Sequence, residues 1–406
     1  MNKNKKREKW MKFRHRIVRN IACAVLKPYS VLKYGIRVEK FKEQGERSYL
    51  ILLNHQTPFD QFFCGMSFKG PVYYVATEDI FSNGITSALI KYLVAPIPIR
   101  KQATDMAAVL NCIRVAREGA TICIAPEGNR TYSGKTEYMA PTISSLAKRL
   151  KLPVAIYRIE GGYGAQPRWS DVVRKGSMRS YVSEVIEPEE YACMTDEELY
   201  DRIKQGLYVN EAVADIPFKH KKRAEYLERA IYVCPKCGFS QFHSEGAYTQ
   251  CENCGMKIEY TEYKELKCDS PEFTFNFVND WYDYQMDFVN SFDTTLNTEK
   301  ALFNDLAHMS EVIVYKKKIK LRKNASVALY GDRVVIDENS DDEMIFPFSD
   351  VTAISVLGRN KLNIYHDKKV YQLKGDKHFN ALKYVNICYR HKNILKGDTD
   401  GKFLGL

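Results

Sequence analysis

The chain has 406 residues, 45% of them hydrophobic and 27% charged, which suits a globular protein of two or more domains. No apolar run reaches the roughly 18 to 20 residues that cross a bilayer, and no N-terminal segment has the charged, apolar and cleavage regions of a secretory signal, so the expected location is cytoplasmic. Without such a signal the eleven cysteines are expected as free thiols or metal ligands, not as disulfides.

The net charge of +11 sits at one end: residues 1–42 carry 14 Lys and Arg against Glu8 and Glu39, and the remainder is close to neutral. An excess confined to one terminus points to an anionic surface met there, not to a charged groove through the fold. Within this segment Trp10, Phe13, Ile17, Ile21 and Val25 recur at spacings of three and four, with Lys9, Lys12, Arg14, Arg16 and Arg19 mainly on the other sectors. The pattern predicts a basic amphipathic helix ending near Lys27-Pro28. Such a helix can lie in a membrane interface, its stripe among acyl chains and its cations against anionic heads. Docking on the protein's own core is the second reading and a nucleic-acid arm the third. No aromatic RNA-reading motif accompanies the arm, so no nucleic-acid partner is expected.

Ser48 to Leu53 is an apolar run of strand length without helical period, which predicts a buried strand. At its end stands Asn54-His55-Gln56-Thr57-Pro58-Phe59-Asp60. Thr57 reads as an N-cap with Pro58 at the first helical position and Asp60 at the third, predicting a helix over 58–67. Helix capping alone explains an acidic residue there. The functional alternative is that Asp60 folds back onto the imidazole and fixes its tautomer, so that His55 can take a proton from a hydroxyl. Cys64, a turn further on, reads as a packed thiol.

Strands are predicted at 71–76, 94–99, 121–125 and 154–157, and helices at 79–91, 104–117 and 141–150. This alternation predicts an α/β layer architecture with functional groups at strand ends. Arg100 ends one apolar strand. Another is followed by Pro126-Glu127-Gly128-Asn129-Arg130-Thr131 and then Ser133-Gly134. Gly128 admits a close ligand, Arg130 offers a donor fork for a phosphate, and Thr131 and Ser133 add hydroxyls; by composition the stretch is also a good turn.

His55-x4-Asp60, the Arg100 strand end, Pro126-Glu127-Gly128-Asn129-Arg130 and Leu152-Pro153-Val154, in that order, resemble the motif set of the glycerolipid acyltransferases of the 1-acylglycerol-3-phosphate acyltransferase type, over roughly residues 30 to 215. The resemblance implies a mixed-sheet acyltransferase domain with His55 as general base and Asp60 as its partner. It places Arg100, Glu127, Gly128, Asn129 and Arg130 around the head group. It also implies a lysophospholipid acceptor, an acyl-acyl carrier protein or acyl-CoA donor, and no catalytic cofactor. Oxyanion donors are expected among the backbone N–H groups of residues 57 to 60. Thr77 stands where many members carry a phosphate-holding lysine; either Lys91, Lys101 or Lys135 takes that role or the head group is not a bare phosphomonoester. The loop from Glu160 to Trp169 reads as an acceptor-pocket wall or as a surface turn.

Beyond a basic run at Lys219 to Arg223, Cys234-x2-Cys237 and Cys251-x2-Cys254 are separated by 13 residues. Each pair can bite one tetrahedral ion, and the pattern resembles a zinc ribbon whose four thiolates leave no open position, so the zinc is expected to be structural. Iron is the minor alternative. After Met309, seven short strands and a helix over 376–390 resemble a pleckstrin-homology-like or GRAM-like domain.

The expected organisation is thus a membrane-interface arm (1–42), an acyltransferase domain (43–226), a zinc ribbon (227–262), a partly helical linker (263–308), a PH-like domain (309–394) and a tail (395–406). The expected function is transfer of an acyl chain to 1-acyl-sn-glycerol 3-phosphate, giving phosphatidate, by a protein peripheral on the inner face of the cell membrane. The alternative is a non-catalytic lipid-binding or scaffold protein that retains the fold.

Overall fold

The computed structural model describes residues 9–82, 84–99, 105–213, 216–313 and 318–397. They divide into two compact units: the residues through Gly128, Met139–Glu160 and Met178–Tyr208 form the first, and Asn129–Tyr138, Gly161–Ser177 and the residues from Val209 onward form the second. The division is interleaved, so the chain passes between units several times.

The first unit opens with helix α1 (Phe13–Tyr34), strand β1 (Ile36–Val38), β2 (Leu50–Leu53), α2 (Asp60–Ser67) and β3 (Val72–Thr77). It continues with α3 (Ile85–Val94), β4 (Ile97–Ile99), α4 (Met106–Arg117), β5 (Thr121–Ile124), α5 (Thr142–Leu150) and β6 (Val154–Glu160). A one-turn helix α6 (Gly162–Ala165) belongs to the second unit, after which β7 (Met178–Ile186), α7 (Pro188–Ala192) and α8 (Asp196–Leu207) complete the first. The strands form one seven-stranded sheet in the order β1-β7-β6-β2-β5-β3-β4. From β6 to β4 it is parallel, and β7 pairs antiparallel with β6, so the sheet is mixed as expected. β2 is buried on both faces, which is why its sequence is unbroken Leu-Ile-Leu-Leu.

Among the helix boundaries that differ from expectation, those of α1 and α2 have local reasons. α1 does not stop at Pro28. A proline removes one backbone donor, but the helix continues to Gly35, whose left-handed conformation (φ 63°) closes it with an N–H to Val31 O bond. α2 begins at Asp60 and not at 58, because the Thr57 hydroxyl, which accepts from Phe59 N–H, makes a tight turn before the helix.

In the second unit β8 (Val233–Cys234) and β9 (Gly238–Phe239) form a hairpin, and β10 (Phe242–Glu245), β11 (Tyr248–Cys251), β12 (Lys257–Tyr260) and β13 (Leu266–Lys267) form a four-stranded antiparallel sheet. Helix α9 (Val278–Ser291) follows. Then come β14 (Phe303–Glu311), β15 (Ile319–Leu329), β16 (Arg333–Ile336), β17 (Met344–Pro347), β18 (Ala353–Leu357), β19 (Lys361–His366), β20 (Lys369–Gly375) and α10 (Leu382–Leu395). These seven strands make an antiparallel sheet in the order β17-β16-β15-β14-β20-β19-β18. The first of them begins at Phe303, before Met309, after which the strand-rich run is expected; residues 314–317 fall outside the described residues. α10 starts six residues after Asp376 because Asn380, whose Oδ1 accepts from Leu382 and Lys383 N–H, is the group that caps it.

The loop from Gly161 to Trp169 is not a surface turn. Gly162, Tyr163, Gly164 and Ala165 are buried, and Trp169 donates to the Tyr163 hydroxyl. A Cβ at Gly164 would meet the Phe218 ring at 2.4 Å, so that glycine is there for close approach. Arg174 stacks 4.8 Å from both the Trp169 and Tyr260 rings, tying the loop into the second unit's core.

Candidate functional site

β2 lies between β6 and β5, and all three are parallel, so the chain leaves them at one edge of the sheet. Polar residues gather beyond the carboxyl ends of such strands because backbone there has lost its ladder partners. Asn54 ends β2 by side-chain pairing: its Nδ2 donates to Ile159 O and its Oδ1 accepts from Ile159 N–H, both at 2.8 Å. That brace fixes where His55 begins. The sequence carried its signal, an asparagine at the last position before the histidine, but its role is visible only once β6 is paired alongside.

His55 Nδ1 lies 2.8 Å from Asp60 Oδ2. A carboxylate only accepts, so Nδ1 carries the hydrogen of this contact and Nε2 is the basic nitrogen. Asp60 also accepts from Gln56 N–H at 2.6 Å, Thr57 N–H at 2.9 Å and Thr57 Oγ1 at 2.6 Å. The carboxylate is 1% exposed and the imidazole 26%, so the pair is anchored on the inside and open at the ring. Capping and orientation are therefore one structure: the turn that starts α2 is built from the bonds that hold Asp60 against His55.

Glu127 follows β5 and is buried, and its Oε1 accepts from His55 N–H at 2.9 Å. Gly128 (φ 68°) closes that turn with an N–H to Ala125 O bond. The structure thus brings His55, Asp60, Glu127 and Gly128 together. Asn129 and Arg130 begin the segment assigned to the second unit, where the Arg130 carbonyl accepts from Arg168. Arg100 lies outside the described residues, as does Lys101.

Several candidate donors are engaged elsewhere. Of the N–H groups at 57 to 60, that of Thr57 is held by Asp60, Pro58 has none, and that of Phe59 is held by the Thr57 hydroxyl, which leaves Asp60. The Thr131 hydroxyl donates to Glu137, whose buried carboxyl is pushed above its ordinary pKa by desolvation. Lys135 forms an ion pair with Asp283 within the second unit, while Lys91 is exposed on α3. Cys64 is fully buried with its Sγ 3.9 Å from Cys123 Sγ, where burial holds the Cys123 thiol well above the usual range. It is a packed thiol.

Cys234 and Cys237 bracket the β8–β9 hairpin turn, and Cys251 and Cys254 the turn from β11 toward β12. Gly238 (φ 73°) and Gly255 (φ 75°) take the left-handed positions those turns require. All four sulfurs lie within 4.8 Å of one another, and Cys234 and Cys254 are 3.8 Å apart. A tetrahedron with zinc–sulfur bonds of about 2.3 Å has edges of about 3.8 Å, so this donor set fits one ion. His243 is turned away and stacks on His378.

Residues 35–157 match the model of the Acyltransferase family. No curated protein matches the chain. Among solved structures the chain is similar to the 1-acyl-sn-glycerophosphate (LPA) acyltransferase PlsC from Thermotoga maritima, at 20% identity and a TM-score of 0.41, over 48% of this chain and 78% of that one. That likeness is partial and assigns no substrate here.

Proposed function

From the premise of an Acyltransferase domain over residues 35–157, we propose that the protein moves an acyl chain from a thioester donor to the free hydroxyl of a lysophospholipid, with 1-acyl-sn-glycerol 3-phosphate as acceptor and phosphatidate as product. The observation that carries this reading is the His55–Asp60 pair at the end of the central parallel strand, with Nδ1 committed to the carboxylate and the imidazole partly exposed. A glycerol hydroxyl is too weak an acid to attack unaided. Nε2 takes its proton as the oxygen bonds to the thioester carbonyl carbon, and Asp60 steadies the imidazolium. Collapse of the tetrahedral intermediate breaks the carbon–sulfur bond, and the departing thiolate recovers the proton from His55. No covalent enzyme intermediate forms. Acyl-acyl carrier protein and acyl-CoA are the candidate donors, and Glu127, Gly128, Asn129, Arg130 and Arg100 the candidate head-group residues.

No described helix is long and apolar enough to cross a membrane. The exposed stripe of Phe13, Ile17, Ile21 and Val25 on α1 supports attachment to an anionic membrane surface over docking on the core. The four cysteines would hold a structural zinc, and the seven-stranded sheet with α10 supports the PH-like reading of the C-terminal segment. The deciding experiment is acyl transfer from both donors to a panel of lysolipids with wild type and His55→Ala. Loss of the general base lowers turnover by about 10²- to 10⁴-fold. Equal rates in the two proteins end the assignment.

A further inference from the structure

Helix α3 has an inverted pattern of burial. Its ten residues include Ile85, Ala88, Leu89, Ile90, Tyr92, Leu93 and Val94, yet the one that is buried is Ser87. Ile85 is 89% exposed, Tyr92 58% and Leu89 54%. A helix this apolar around its circumference needs a cover. At about 1.5 Å per residue it is about 15 Å long, half the hydrocarbon thickness, so it cannot cross a bilayer and can only lie in one.

Its neighbour is α1. Arg14 Nε donates to Tyr92 O at 2.9 Å while its guanidinium stacks 4.0 Å over the Tyr92 ring, and Trp10 Nε1 donates to Ala95 O at 2.8 Å. α1 turns His15, Ser30 and Tyr34 inward and leaves Phe13, Ile17, Ile21, Val25 and Leu32 exposed, the last at 86%. Neither helix contains an acidic residue, whereas α1 carries Arg14, Arg16, Arg19, Lys27 and Lys33 and α3 carries Lys91. We propose that α1 and α3 together form a two-helix platform that inserts into an anionic bilayer, α3 as the apolar wedge and α1 as the cationic contact. A second copy of the chain is the poorer occupant, since it would set like charge against like. The proposal extends the membrane attachment inferred for α1, and rests on that reading for the presence of a bilayer.

The test is flotation of the full chain with vesicles of phosphatidylcholine alone and of phosphatidylcholine with phosphatidylglycerol. Ile85→Glu/Leu89→Glu should lower binding to both vesicle types by at least about ten-fold, because it removes apolar insertion. Arg16→Gln/Lys27→Gln should lower it on anionic vesicles only, and high salt should mimic that change. Far-UV circular dichroism and the metal content of the variants report that the fold is intact. Unchanged flotation of a folded Ile85→Glu/Leu89→Glu protein overturns the proposal. So does a lipid-free wild type that sediments as a dimer while this variant is a monomer, which would make a second copy the cover. Acyl transfer between water-soluble short-chain substrates should be equal in wild type and Ile85→Glu/Leu89→Glu. Flotation without any acyl transfer in the wild type would remove the proposed chemistry and leave this surface standing.

Discussion

Asp60 accepts hydrogen bonds from His55 Nδ1, Gln56 N–H, Thr57 N–H and Thr57 Oγ1, all within a buried turn. An acceptor-only group suits this cage, and an amide does not, because its NH2 face must meet donors. Asp60→Asn therefore both loosens the turn and leaves the imidazole free to adopt the other tautomer. Turnover should fall by about 10²-fold or more with KM little changed, and stability by about 1–3 kcal/mol. Steady-state kinetics beside thermal unfolding separates these effects; a variant with unaltered kcat would mean that Asp60 is a helix-start residue only. The His–Asp spacing was readable from sequence because it is local. Glu127 was readable as a residue but not as the acceptor of His55 N–H, since that bond follows from β2 and β5 running side by side. Nor does composition reveal that Thr131 is spent on Glu137.

The strands and helices of the first unit were legible because β2, β5 and β6 are apolar runs bounded by turn residues. What escaped was which face of α1 docks. The apolar stripe suggests Phe13, Ile17, Ile21 and Val25, whereas the inward face holds a histidine. His15 is buried and its Nδ1 is 2.9 Å from the Tyr73 hydroxyl. Burial, and then the Arg14 charge, hold its pKa below the ordinary 6.5. The unfolded chain therefore binds the proton more readily than the folded one. Stability is full above about 6.5 and falls as pH drops through that value toward the lower folded one. Tyr73, pushed up to about 12 by burial, does not titrate in this window, and the lowered Glu118 carboxylate beneath Trp10 and Met11 titrates below it. Trypsin should consequently cut within α1 faster at pH 5.5 than at pH 7.5, after correction for the enzyme's own pH profile, and His15→Phe should flatten that difference. Equal pH sensitivity in both proteins would assign the effect to another group.

At the scale of the molecule the two units share one interleaved chain, and the passage from first to second falls directly after Gly128. The loop that begins with Asn129 is thus folded by the second unit's core, which runs from Tyr132 through Trp169, Cys234 and Trp281 to Cys388. That core includes two of the four clustered cysteines outright, Cys234 and Cys251, so loss of the ion strikes packing as well as coordination. The metal itself has no place in the proposed chemistry, since four thiolates close its shell. Its removal nonetheless should cost activity. Protein purified without chelator is expected to hold about one zinc per chain. Stripping it, or introducing Cys251→Ser, should lower the thermal transition by several degrees and reduce acyl transfer. Restoring zinc before aggregation should return both. Full activity at an unchanged melting temperature in metal-free protein would show that the second unit folds without the ion and that the cysteines serve some other end.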